Sequence, residues 1–187
     1  MKNIIASLVI AGTALFTSSC QTAKTKTKCN ALNWELPSDN KQAHVVTSQN
    51  LNFSAEDVWS LIAGFDTLPD YHASILTSKL KEGGTVRHIT LSEAAGGGTV
   101  VERLVYHNDD QRIFSYKITD LINCDLAFRN YQARVQLTST GKASCTLTWE
   151  SCFDVEGASV EETKELARVI YQGCYDGISK VLAKKGN

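Results

Sequence analysis

The chain has little net charge. Nineteen basic residues stand against twenty acidic ones, for a formal charge of -1 over 187 residues. That speaks against a nucleic-acid binder, which needs a basic excess to meet the phosphate backbone. There is no CxxC and no Cys/His spacing of the kind a structural zinc takes, so no metal is expected. The GxSxG elbow, the phosphate-cradling P-loop and the HExxH helix are all missing. Internal repeats and low-complexity tracts are absent too, beyond a short Lys/Thr alternation at 24–28. Apolar residues make up 43%, enough for a core, so wholesale disorder is excluded.

The longest apolar run, Ile4 to Phe16, is too short to span a bilayer as a helix. With Lys2 before it and Thr17, Ser18 and Ser19 after it, the run reads as an export signal. Small residues before Cys20 resemble a bacterial lipobox, in which the cysteine is lipidated and becomes the mature N-terminus. Thr17 stands where that pattern usually has Leu. The expected organisation is a lipoprotein signal peptide at 1–20, a tether at 21–42 and one folded domain at 43–187. The expected location is the periplasmic face of a membrane, held by the lipid. Lys24, Lys26 and Lys28 read as a solvated linker. Export implies an oxidising compartment. Five cysteines remain after Cys20: Cys29, Cys124, Cys145, Cys152 and Cys174. At least one of them is unpaired within the chain, and their spacing leaves the pairing open.

Within the domain, His44 to Leu51 reads as a strand. Ser54, with Asp57 three residues on, caps a short helix carrying Val58, Leu61 and Ile62. A second helical turn is expected near Pro69. Strand patterns follow over Thr85–Ser92 and Thr99–His107. In the latter, Val100, Glu102, Leu104 and Tyr106 share a face. Next, Phe114, Tyr116 and Ile118 share a face, and then Tyr131, Ala133, Val135 and Leu137 do. Ala143 to Asp154 is a further strand. A long helix is expected over about Val160 to Lys184, capped by Ser159, with Leu166, Ile170, Cys174 and Ile178 as its apolar stripe. The predicted class is α+β: a curved antiparallel sheet wrapped around a long C-terminal helix, with two short helices after the first strand.

Four segments from Ala43 to Ala183 resemble the START/Bet v-like (SRPBCC) superfamily, in its polyketide cyclase/dehydrase and lipid transport branch. They are Val58-Trp59-Ser60-Leu61-Ile62 with Phe65-Asp66 and Tyr71-His72; Gly84-Thr85-Val86-Arg87 leading into Val101-Glu102-Arg103-Leu104; Arg129-Asn130-Tyr131; and Trp149-Glu150-Ser151 with Asp154. The resemblance implies a helix-grip fold with a cavity between sheet and long helix. It implies that His72, Arg87, Ile89, Leu91, Glu102, Tyr131, Ala133 and Glu150 line that cavity, with Leu166, Ile170 and Cys174 from the helix. Strand alternation adds Leu104, Tyr106, Phe114 and Tyr116. Gly96-Gly97-Gly98 takes the place of a mouth loop, preceded by Ser92-Glu93-Ala94-Ala95.

Glu102 lies on an apolar face and needs a partner there, for which Arg87 is the candidate. It is either a handle for a ligand or half of an internal ion pair. Glu150 is expected inward on the resemblance, although local alternation groups it with Thr146 and Thr148. An inward Glu150 would push Leu147 and Trp149 outside, to be covered by Trp34, Leu36 and Pro37 or by a second subunit, so a homodimer is a possible partner state. The expected function is the binding or carriage of a small hydrophobic molecule, with no cofactor. One alternative is an enzyme of cyclase, dehydrase or lyase type using Glu102, Glu150, Tyr131 and His72. Another is an interaction protein whose cavity has collapsed.

Overall fold

A computed structural model describes residues 41–185. The signal peptide, Cys20, Cys29 and the tether up to residue 40 lie outside the described residues. Lys41 and Gln42, read from sequence as tether, already belong to the first strand.

Seven strands form one antiparallel sheet. They are β1 (Lys41–Leu51), β2 (Ile75–Lys81), β3 (Val86–Leu91), β4 (Thr99–Asn108), β5 (Ile113–Ile122), β6 (Phe128–Gly141) and β7 (Ser144–Val155). Their order is β1-β7-β6-β5-β4-β3-β2. Strands β2 to β7 therefore follow one another as a meander, and β1 closes against the last of them. The chain between β1 and β2 must cross from one edge to the other. It does so through α1 (Ala55–Ile62) and α2 (Leu68–Tyr71). The long α3 (Val160–Lys185) packs against both short helices and against β1 and β7. This is the curved sheet around a long helix that the pattern predicts, and the helix-grip architecture that the resemblance implies. Among the described residues no helix is long and apolar enough to cross a membrane.

Both helix starts follow from their caps. Ser54 Oγ accepts the Asp57 N–H at 3.1 Å and donates to the Asp57 carboxylate at 2.5 Å. Ser159 Oγ accepts from Glu162 N–H at 3.2 Å while the Glu162 carboxylate takes the Ser159 hydroxyl at 2.6 Å. Each pairing satisfies an amide that the first turn leaves without an intrahelical partner.

The inward stripe of α3 is rotated from the expected one. Thr163, Ala167, Tyr171, Cys174, Tyr175, Ile178 and Leu182 are buried, whereas Leu166 is exposed and Ile170 only half-buried. The helix lies over a partly open hollow, so Leu166 and Ile170 border an opening rather than the filled core. Gly177 lets α2 and α3 touch: a Cβ there would meet the Tyr71 carbonyl oxygen at 1.5 Å.

Three differences from the sequence reading come from sheet geometry. The edge strand β2 was not expected; Ile75–Lys81 has no clean alternation, and its pairing with β3 slips between Ile75 and Thr77. Glu150 faces outward, not into the cup. Leu147 and Trp149 are fully buried on the concave side, so the local apolar pattern decided the face and no cover for those two residues is needed. Tyr106 also faces outward. The β4–β5 register jumps between Leu104 and Tyr106, which places Val105 as an extra residue. A bulge of one residue flips every later side chain to the other face. His107 thereby takes the inward place and stacks on Trp59 at 5.7 Å.

Candidate functional site

Between the concave face and α3 lies a cavity of about 410 Å³. Its walls are almost wholly apolar. Ile89 and Leu91 come from β3, Val100 from β4, and Tyr116 and Ile118 from β5. Phe128 and Tyr131 come from β6, and Trp149 from β7. Leu166, Val169, Ile170, Tyr171 and Cys174 close it from α3. Ala94 and Ala95, in the turn before the triple glycine, reach the cavity, as do His72, Ser74 and Ile75 beyond α2.

Ten of the expected residues meet here: His72, Arg87, Ile89, Leu91, Glu102, Tyr116, Tyr131, Leu166, Ile170 and Cys174. Five do not. Phe114, Ala133 and Leu104 pack in or against the solid core on the same sheet face. Phe114 sits against Trp59, His107 and Tyr116 under α1. Tyr106 and Glu150 lie on the convex side. There Glu150 accepts from Arg134 Nη2 at 2.7 Å and lies 2.9 Å from His44 Nε2.

The polar feature of the cavity is one ion pair. Arg87 and Glu102 are directly opposite in the β3–β4 register and both are buried. Arg87 Nε donates to Glu102 Oε2 at 2.7 Å, and Nη2 lies 2.6 Å from the same oxygen. Nη1 donates to the Phe65 carbonyl at 2.7 Å. The guanidinium carbon lies 4.2 Å from the centre of the Phe65 ring and 5.0 Å from that of Tyr116, so aromatic faces hold the cation as well. Burial works against the Arg87 charge, yet Glu102, with Tyr116 and Tyr71 beside it, together outweigh burial and hold the guanidinium above its usual range. Burial pushes the Glu102 carboxyl up, and Arg87 pulls it back. Both protein bonds to this carboxylate go to Oε2; among the described residues Oε1 accepts none. Glu102 is thus an internal ion pair and a wall of the cavity at once.

A second network runs along the β6–β7 side. Tyr171 donates to Ser151 Oγ at 2.5 Å, and the Tyr131 and Tyr171 hydroxyls lie 2.6 Å apart. Trp149 stacks on Tyr171 with ring centroids 5.5 Å apart and donates its indole N–H to the Tyr116 hydroxyl at 3.1 Å. Burial raises all three phenols well above their ordinary range, and the Cys174 thiol likewise. At neutral pH these groups are neutral hydrogen-bonding partners, and Cys174 is a small hydrophobe rather than a nucleophile.

His72 is fixed on both sides. Its Nε2–H donates to the Ile170 carbonyl at 3.1 Å, and Nδ1 accepts the Ser74 N–H at 3.2 Å. This is the neutral imidazole, and burial lowers its pKa. The four-residue set Glu102, Glu150, Tyr131 and His72 is therefore not assembled. One member is on the far face of the sheet, and the histidine spends both nitrogens on backbone.

Several lining residues escaped sequence reading. Trp149 carried a signal in the alternation of Cys145, Leu147 and Trp149, which the resemblance overrode. Val100 and Ile118 sit two residues from expected wall positions on the same strands. Phe128 had no signal, because the β6–β7 register shifts between Arg129 and Gln132, where Asn130 is left-handed at φ 50°. Ala94 and Ala95 lie in a turn, where no periodicity exists to read.

A curved seven-stranded sheet gripping one long helix over an apolar hollow defines a START-like protein of the SRPBCC superfamily. The chain belongs to the polyketide cyclase/dehydrase and lipid transport family, whose model matches residues 42–183. It is similar to the structure of XoxI from Bacillus cereus, with 32% identity and a TM-score of 0.71, covering 78% of this chain and 99% of that one. A START superfamily protein from Mycobacterium smegmatis shares the fold at 14% identity and a TM-score of 0.64, covering 75% and 97%. In sequence the chain is 26% identical over 127 residues to the abscisic acid receptor PYL2 of Arabidopsis thaliana. That match takes in 63% of this chain and 65% of the receptor, so it spans just under two thirds of this relative's length.

Two tests concern the buried titratable groups. Arg87→Met should destabilise the fold by about 3–5 kcal/mol, because it leaves a carboxylate in an apolar hollow. Adding Glu102→Leu should recover most of that loss, and urea unfolding of the three variants measures the cycle. His72 prefers its neutral form when folded, whereas the unfolded chain titrates near pH 6.5. Its contribution is fully present above that pH and is lost as the pH falls below it, because the unfolded state takes up the proton first. The stability difference between wild type and His72→Asn should therefore shrink from pH 7.5 to pH 5, read by urea unfolding at each pH.

Proposed function

We propose that this protein binds and carries a small, uncharged, largely apolar molecule, and does so at a membrane surface to which a lipid on Cys20 holds it. The observation that carries the reading is the cavity. Its volume of about 410 Å³ falls within the ~300–1,000 Å³ of small-molecule sites. Its walls are oily, and its one pair of charges is already self-neutralised. An ionic ligand would find no net charge to offset its lost hydration. A hydroxyl or carbonyl on an otherwise apolar ligand would meet Glu102 Oε1, the remaining Arg87 N–H groups or the phenols. The family's own description includes lipid transport, and one relative is named as the receptor for a small molecule. An open cavity speaks against a pure interaction protein. The cyclase-type reading lacks Glu150, the second carboxylate that the resemblance had implied in the cavity.

The uncharged probe N-phenyl-1-naphthylamine tests the cavity. It should bind with one-to-one stoichiometry and gain fluorescence. Ile118→Trp, which fills the wall, should weaken binding at least tenfold, whereas Val105→Trp on the exposed bulge should leave it unchanged. Equal binding by all three proteins would overturn the reading. For the anchor, Cys20→Ser should move the exported protein from the membrane to the soluble fraction. An unaltered distribution would show that no lipid on Cys20 holds it.

A further inference from the structure

At the β4–β5 end of the cavity the protein fixes which way hydrogen bonds can run. Trp149 sets the first constraint. An indole nitrogen only donates, so its bond at 3.1 Å makes the Tyr116 hydroxyl oxygen the acceptor. Ala133 of β6, opposite Tyr116, is small enough for the phenol to reach across to β7. The hydrogen of the phenol must then go elsewhere. Among the described residues no group accepts it. Tyr116 is 4% exposed and lines the cavity, so that hydrogen is offered to the hollow.

Glu102 sets the second constraint. Arg87 grips it at Oε2 with two short contacts, which keeps it a carboxylate, and a carboxylate only accepts. Oε1 takes no hydrogen from any described residue, and Glu102 lines the same cavity. The two groups are neighbours. Glu102 lies opposite Ile118, two residues from Tyr116 on β5. The guanidinium bonded to Glu102 has its carbon 5.0 Å from the centre of the Tyr116 ring. The Glu102 charge also raises the Tyr116 phenol, second only to burial.

A buried donor or acceptor without a partner costs free energy, so a ligand that satisfies both is favoured over one that satisfies either. We infer that the ligand is an alcohol or phenol, whose hydroxyl donates to Glu102 Oε1 and accepts the Tyr116 hydrogen, on an otherwise apolar body. This rests on the carrier reading and narrows it.

Other polar ends fit less well. A carbonyl or ether oxygen brings no hydrogen and would set lone pairs against Oε1. An ammonium accepts nothing from Tyr116 and would be laid beside the Arg87 cation. A carboxylate would bring a second negative charge to Glu102, where the charges already cancel. The spare N–H groups of Arg87 do not reverse the choice. That side chain is 2% exposed, with the Phe65 and Tyr116 rings over its guanidinium at 4.2 Å and 5.0 Å. Tyr116 is thereby a specificity-determining residue, and Trp149 positions its hydrogen.

Competition against bound N-phenyl-1-naphthylamine at neutral pH tests this with three bodies of similar shape: 2-naphthol, 2-methoxynaphthalene and naphthalene. 2-Naphthol should displace the dye more tightly than either of the others by roughly tenfold or more. The methyl ether is the oilier compound, so burial of apolar area alone predicts the opposite order. In Tyr116→Phe the preference should fall to about threefold or less, with naphthalene bound as in wild type. The wild-type comparison stands whether or not that variant folds. Equal displacement by the three compounds, or a Tyr116→Phe protein that binds naphthalene and keeps the full preference, overturns the hydroxyl inference, while binding of the dye leaves the carrier reading in place. A wild-type protein that takes up no dye removes both.

Discussion

Arg87 and Glu102 face one another across β3 and β4, and both are almost wholly buried. A buried ion pair is tolerated only when the geometry is good and the leftover donors find partners. Here the Phe65 carbonyl and the Phe65 and Tyr116 rings supply those partners. The loop between α1 and α2 is thereby tied to the floor of the cup. The same pair keeps polar atoms at the end of a cavity that would otherwise be lined by hydrocarbon, phenol and indole.

The cavity exists because α3 does not press evenly on the sheet. Along one side, Tyr171 fills the space with Trp149, Tyr131 and Ser151 in a stacked and hydrogen-bonded group. Along the other, Leu166, Val169 and Ile170 stand over open volume. Cys174, between the two sides, is small. The glycines at 173 and 177 let α2 come close, since a Cβ at Gly173 would lie 2.9 Å from His72 Nε2. His72 then bridges the backbones after α2 and within α3, which is why it serves the architecture rather than proton transfer.

The convex side has its own chemistry. Glu150, His44 and Arg134 form a surface cluster on the same face as Cys152. The two faces of β7 thus carry different tasks: Trp149 and Ser151 shape the hollow, while Cys152 and Asp154 are buried on the other side.

Alternation and caps alone determined the helix starts, most strands, the α+β class and the placement of Glu102 against Arg87. These are local patterns of period two or 3.6, and burial of one face enforces them wherever the register is regular. Tertiary structure decided what local pattern cannot carry. A one-residue bulge at Val105 turned Tyr106 outward. Opposition to the concave core turned Glu150 outward against the resemblance. The seating of α3 over an unfilled hollow moved Leu166 and Ile170 from core to rim. In each case the deciding quantity was the position of one element against another, which the pattern along either element alone does not carry.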